Sequence, residues 1–275
     1  MKKERKFSSA IFDYDEANVV LQFIALKNEP FLHFKKLKEI SSEVETFDLE
    51  EERNLLENIR MHDIGLIRIK GNLDEIFYRT LKILNDKKLP VTFANNHLVT
   101  LYCLGICNEK TGIIIFDAHA DCKEEYENQT FSRGTWVKRF CELGNSKQLF
   151  LIGLRSLDEE EFNFLKENQI KFLKANEIKK NLEKSVMKFK NFLNEFEQFY
   201  ISFDCDVLDP SILPGVNYPE PEGLSLEEIF SFFDALKGKK VIGIDFVEFK
   251  HISGEIISEK VITRILYKLL SKIKL

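Results

Sequence analysis

The sequence has little that would suit a membrane, a secretory route or a nucleic acid. No uncharged apolar run reaches the roughly 18 residues needed to cross a bilayer. The basic start, Met1-Lys2-Lys3-Glu4-Arg5-Lys6, leads into no apolar core, because Asp13, Asp15 and Glu16 interrupt Phe7 to Val20. No signal peptide is expected, and the cytoplasm is the expected compartment. The five cysteines (Cys103, Cys107, Cys122, Cys141, Cys205) form no C-x-x-C pair, and an odd count without a secretory signal reads as free thiols. Only six prolines and twelve glycines occur, with no internal repeat and no linker, so residues 1–275 read as a single domain. Forty basic residues against 45 acidic give a net charge of -5, without the basic concentration that nucleic-acid binding requires.

What is present is a strand–helix alternation. Short apolar runs rich in β-branched and aromatic residues occur at Ile113–Phe116, Gln148–Ile152, Phe199–Phe203 and Val241–Ile244. They carry no charge, as strands covered on both faces should not. Between them, helical spacing of apolar residues marks Leu73–Leu84, Glu159–Asn168, Leu182–Phe196 and Leu226–Leu236, and Ser225 with Glu228 forms a capping-box pattern before the last. This order predicts a mostly parallel sheet with helices on both faces, whose ligands gather at the carboxyl ends of the strands.

Two of those strand ends carry acidic clusters. Asp117-Ala118-His119-Ala120-Asp121 follows Phe116, and Asp204-Cys205-Asp206 follows Phe203. If the chain stays extended, alternate residues share one face, so Asp117, His119 and Asp121 project together, as do Asp204 and Asp206. Four carboxylates and an imidazole at neighbouring strand ends repel unless cations neutralise them. Two divalent ions balance four aspartates, and oxygen-rich ligation with imidazole suits Mn²⁺.

These motifs resemble the ureohydrolase family of arginase, agmatinase and their relatives. Asp117–Asp121 matches its D-A-H-x-D motif. Ser202-Phe203-Asp204-Cys205-Asp206-Val207-Leu208-Asp209-Pro210 matches S-F-D-x-D-x-x-D-P, and Asp245-Phe246-Val247-Glu248 resembles D-x-V-E. Asn95-Asn96-His97 stands where the family has G-G-D-H, after a strand-like Pro90–Phe93. The resemblance covers roughly residues 40 to 270. It implies a three-layer α/β/α fold with about eight strands, in trimers or hexamers. It also implies two Mn²⁺, one on His97, Asp117, Asp121 and Asp204, the other on His119, Asp117, Asp204 and Asp206, with Asp117 and Asp204 bridging. Glu248 would face the guanidinium of a small-molecule substrate, Asp206 would accept a proton, and Asp158, in the loop opened by Gly153-Leu154-Arg155, would contact a substrate amine or else cap a helix.

Three features depart from the family pattern. Ala94-Asn95-Asn96 replaces G-G-D, and residues 8 to 40 lack the expected glycine- and arginine-rich loop, so about 40 N-terminal residues are atypical. Phe131-Ser132-Arg133-Gly134-Thr135-Trp136 matches the agmatinase S-H-G-T segment, except that Arg133 replaces the histidine that shuttles protons. Arginine stays protonated and cannot shuttle. The expected activity is hydrolysis of a linear guanidine or amidine, agmatine first, with Arg133 favouring a carboxylate-bearing amidine such as formimidoylglutamate as the alternative. A non-catalytic metal-binding subunit is the reading from another class.

Overall fold

The computed structural model describes residues 5–144 and 146–275; the first four residues of the basic start lie outside them. The strands are β1 (Val19–Leu26), β2 (Phe47–Asp48), β3 (Arg53–Asn54), β4 (Met61–Ile69), β5 (Leu89–Ala94), β6 (Thr111–Phe116), β7 (Leu149–Leu154), β8 (Lys171–Lys174), β9 (Gln198–Asp204) and β10 (Val241–Val247). Eight of them form one sheet in the order β4-β1-β5-β10-β9-β6-β7-β8, while β2 and β3 make a separate small hairpin. Every pairing in the large sheet is parallel.

Helices cover both faces, which gives three layers. Ile114 and Phe116 of β6 pack into a core shared with helices Leu32–Ile40, Leu182–Leu193, Leu226–Ala235 and Ile257–Lys272. Ile113 and Ile115 point the other way, into a core shared with helices Asp74–Asn85, Leu98–Cys103, Trp136–Glu142 and Glu159–Glu167. The alternation explains why Ile113–Phe116 of β6 is apolar throughout: each face meets a helix layer and neither meets water.

The expected strands at 90–93, 113–116, 199–203 and 241–244 all lie inside observed strands, and the one expected from Gln148 begins at Leu149 because Gln148 closes a 3-10 turn. The expected helices keep their places, with Leu182 onward ending at Leu193 rather than Phe196. The Ser225–Glu228 capping box forms. No helix among the described residues is long and apolar enough to cross a membrane.

One expectation is corrected. The extended backbone assumed for the acidic motifs stops at the strand ends: β6 ends at Phe116, and Cys205–Val207 turns as a 3-10 helix capped by Asp204. Convergence of the carboxylates therefore comes from turns, not from prolonged strands.

Candidate metal centre

Four adjacent strands, β5, β10, β9 and β6, end at one place. After β5 the chain reaches His97, after β10 Glu248, at the end of β9 Asp204, and after β6 Asp117. Asp121 and Glu248 sit at left-handed backbone angles, φ 51° and 60°. Non-glycine residues adopt that region rarely and at a cost, and such strain collects where side-chain aim matters. The loop of Asp117 also needs a bare neighbour: a Cβ on Gly153, itself at φ 105°, would lie 2.5 Å from Val207 Cγ2 and 3.2 Å from the Asp117 carbonyl oxygen.

His97 is buried, and its Nδ1 lies 3.2 Å from Asp117 Oδ2, 2.9 Å from Asp121 Oδ2 and 3.2 Å from Asp204 Oδ2. None of the three is aligned for a hydrogen bond, so Nδ1 is a buried polar atom without a hydrogen-bond partner. A ring nitrogen aimed between three carboxylate oxygens fits a positive charge: a cation, or a proton, which Asp117, Asp121 and Asp204 hold on His97 well above its ordinary range even though burial opposes it. Asp117 divides its oxygens, since Oδ2 joins His97 while Oδ1 lies 3.6 Å from His119 Nδ1. Asp206 Oδ2 is 2.9 Å from that same His119 nitrogen. The two donor groups, His97–Asp117–Asp121 and Asp117–His119–Asp206, thus share Asp117 and fit a pair of ions. Asp204 lies on the His97 side, where its Oδ1 accepts the Asp206 N–H at 2.9 Å.

The electrostatics ask for positive charge. Burial pushes Asp121 up to about 6, with Asp117 adding to the rise, and raises Asp204 and Asp206 from their ordinary values. Asp117 goes the other way, below the usual carboxylate range, because His119 and His97 outweigh its burial. Burial disfavours protonated His119, yet Asp117 and Asp206 drive it up to about 12. Without metal the cluster holds protons instead, so metal uptake must release them.

Several residues without an assigned role in the sequence reading hold these ligands. The buried Trp136 donates its indole N–H to Asp121 Oδ2 at 2.8 Å and packs 4.8 Å from the His97 ring. Arg155 donates to the carbonyls of Asp206 at 2.6 Å and of Glu220 and Pro221 at 2.9 Å, which pins the turn after β9. Glu220 Oε1 lies 3.5 Å from His119 Nε2 and accepts from Ser156 at 3.0 Å. These contacts span up to 66 residues of chain, and no local pattern announces them.

Beside the metal ligands lies a cavity of about 140 Å³, lined among others by Lys123, Tyr126, Arg133, Tyr218 and Glu248. Glu248 Oε1 accepts the His97 N–H at 2.9 Å, while Oε2 accepts Asn217 Nδ2 at 2.8 Å and Arg133 Nη1 at 2.5 Å. Burial raises Glu248 to about 7 even though Arg133, Asn217 and the His97 amide work to lower it. The Arg133 guanidinium also lies 5.5 Å from the Tyr218 ring centre. Asp158 is elsewhere. Its Oδ1 caps helix Glu159–Glu167 through the Glu161 N–H at 2.9 Å, its Oδ2 pairs with Lys123, and it does not line this cavity. Of its two expected roles, the structure displays the cap.

Known proteins resemble this chain in sequence and in fold. An agmatinase of Bacillus anthracis is 30% identical over 227 residues, covering 78% of this chain and 74% of its own. An uncharacterized 32.2 kDa protein of Methanothermus fervidus is 29% identical over 222 residues, with 77% and 74% covered. In three dimensions an agmatine ureohydrolase of Thermoplasma volcanium superposes with a TM-score of 0.88 at 22% identity, covering 99% of this chain and 95% of its own. A formiminoglutamase variant of Trypanosoma cruzi superposes at 0.84 with 17% identity, covering 96% and 95%. Residues 35–271 match the sequence profile of the arginase family. The chain belongs to the arginase family and is a ureohydrolase of the agmatinase-like kind.

Proposed function

We propose that the protein hydrolyses a linear C–N bond of a guanidine or amidine at a centre of two Mn²⁺, held by His97, Asp117, His119, Asp121, Asp204 and Asp206. The observation that carries this is the unpartnered, buried His97 Nδ1 facing three carboxylate oxygens, with Asp117 shared into a second group. When bound, two such cations supply Lewis acidity and make a water between them far more acidic than bulk water. The chain supplies orientation, proton handling and exclusion of solvent. Asp206, fixed by the Ala118 N–H at 3.1 Å, stands where it could take up a proton. Glu248 already accepts three hydrogen bonds. A carboxylate offers about four lone-pair positions, which leaves one for a substrate N–H.

Agmatine, split to putrescine and urea, is the first candidate substrate. The Arg133 charge that would repel a cation is already paired with Glu248. That same pair favours a second reading, an amidine bearing a carboxylate, which could take the place of Glu248 on Arg133. Both readings are tested by incubating Mn²⁺-loaded protein with agmatine and with formimidoylglutamate, and measuring urea and formamide. Urea from agmatine supports the first, and formamide supports the second. No product from either, with two ions bound, contradicts the hydrolase reading and leaves a metal-binding subunit.

A further inference from the structure

Beneath the metal ligands runs a chain of buried polar groups that none of the metal contacts explains. Asp245, in the middle of β10 and fully buried, accepts from Tyr200 at 2.7 Å through Oδ2 and from Ser202 Oγ at 2.7 Å through Oδ1. Ser202 Oγ in turn lies 3.0 Å from His97 Nε2, and Thr100 Oγ1 lies 3.3 Å from it. All these side chains are at most 1% exposed, and they touch one another directly. A carboxylate buried at the centre of a parallel sheet is costly, and three or more polar partners around it must be balanced.

Counting hydrogens decides the polarity of the chain. A serine hydroxyl has one hydrogen and two lone pairs, and an ionised carboxylate has only acceptors. The single Ser202 hydrogen goes to Asp245. Toward His97, Ser202 then has only a lone pair to offer, so His97 Nε2 must carry the hydrogen of the bond between them. A neutral imidazole with a hydrogen on Nε2 keeps its lone pair on Nδ1, the atom that faces Asp117, Asp121 and Asp204. We infer that Asp245 is a positioning residue that, through Ser202, locks His97 in the tautomer able to ligate a cation. Reversing the polarity of the chain would put a hydrogen on Nδ1, in the place of the ion. Histidine ligands are commonly fixed by an acceptor on the second nitrogen. Here the acceptor is a hydroxyl, which could equally have donated, and Asp245 removes that ambiguity.

The inference rests on the two-metal reading, and the test separates the two. Mn²⁺ affinity and stoichiometry are measured by calorimetry for wild type, Ser202→Ala, Asp245→Asn and the double variant, with thermal unfolding followed alongside. The Zn²⁺-loaded proteins, ¹⁵N-labelled at their five histidines, report the His97 tautomer by two-bond ¹H–¹⁵N correlation. Wild type should bind two ions, with His97 showing hydrogen on Nε2. Asp245→Asn, which introduces a donor, should weaken one ion by 10- to 100-fold, the range expected for partners of metal-bound histidine. Ser202→Ala should weaken the same ion by less, and the double variant should be no weaker than Ser202→Ala, because the effect of Asp245 runs through the hydroxyl. Wild-type affinity in Asp245→Asn or in Ser202→Ala overturns the lock, as do losses that simply add in the double variant. Should Asp245→Asn fail to fold, Ser202→Ala alone decides: weakened binding supports the lock and unchanged binding overturns it. Wild type that binds no metal overturns the two-metal reading, and the lock with it.

Discussion

Arg133 Nη1 lies 2.5 Å from Glu248 Oε2, so the chain's own guanidinium occupies the carboxylate that its relatives' pattern would reserve for a substrate. The pair is buried on the glutamate side and 24% exposed on the arginine side. Replacing Arg133 with histidine would free a lone pair on Glu248 and add a group that can carry a proton at neutral pH. Urea release from agmatine by Arg133→His should rise at least about tenfold, below the 10²–10⁴ typical of a well-placed acid–base group. Turnover of a carboxylate-bearing amidine should fall. Unchanged rates on both compounds would place Arg133 outside the chemistry.

Asp121 and Asp206 belong to different donor groups but to one charge balance. Asp121→Asn and Asp206→Asn each remove a negative charge from four carboxylates facing two cations. Mn²⁺ affinity, read by calorimetry, should drop at least about tenfold in either variant. Full occupancy in both would contradict the electrostatic account of the site.

Asp158 offers a contrast. Its carboxylate caps a helix and pairs with Lys123, behind the residues that line the cavity. Asp158→Ala should lower unfolding stability by about 1 kcal/mol, the usual value of an N-cap. The kcat/KM for any substrate should stay within about threefold, too little for loss of a substrate contact. A drop of 100-fold with unchanged stability would restore the substrate-binding role.

The acidic motifs and the strands leading to them were legible in the sequence because β6 is short, uncharged and followed at once by Asp117, and β9 carries no charge until Asp204, the ligand on which it ends. Other parts depend on partners far along the chain. β1 contains Gln22, which looks wrong for a buried strand until Thr80 and Thr92 accept its amide at 3.1 and 2.8 Å. β4 contains Asp63, a loop-like residue by type, neutralised in the core by Lys38 at 3.0 Å. The left-handed backbone at Asp121 and Glu248 and the 3-10 turn at Cys205–Val207 decide where the ligands point, yet periodicity says nothing of them. The pairing of Arg133 with Glu248 joins residues 115 apart and had no local signal either.

A pH dependence follows from His33, whose Nδ1 accepts the His251 N–H at 2.9 Å and so ties helix Leu32–Ile40 to the loop after Glu248. Burial lowers the His33 pKa from 6.5, and the positive neighbours His251 and Lys250 lower it further, while Glu259 faces the group through His251. The folded state therefore binds this proton less readily than the unfolded chain. Its contribution to stability is present above pH 6.5 and is lost as pH falls through the lowered folded value. His33→Asn, which can still accept through its amide oxygen, should flatten the loss of urea midpoint as pH falls below 6.5. An unchanged acid limb would assign that loss to other groups.

The central claim is that two ions sit on His97, Asp117, His119, Asp121, Asp204 and Asp206. Anomalous diffraction from a crystal grown with Mn²⁺ tests it most directly. The account predicts two peaks about 3.5–4 Å apart, the usual spacing of paired hydrolytic metals, with Asp117 touching both. A single peak, or peaks elsewhere with Asp204 and Asp206 turned away, would contradict it.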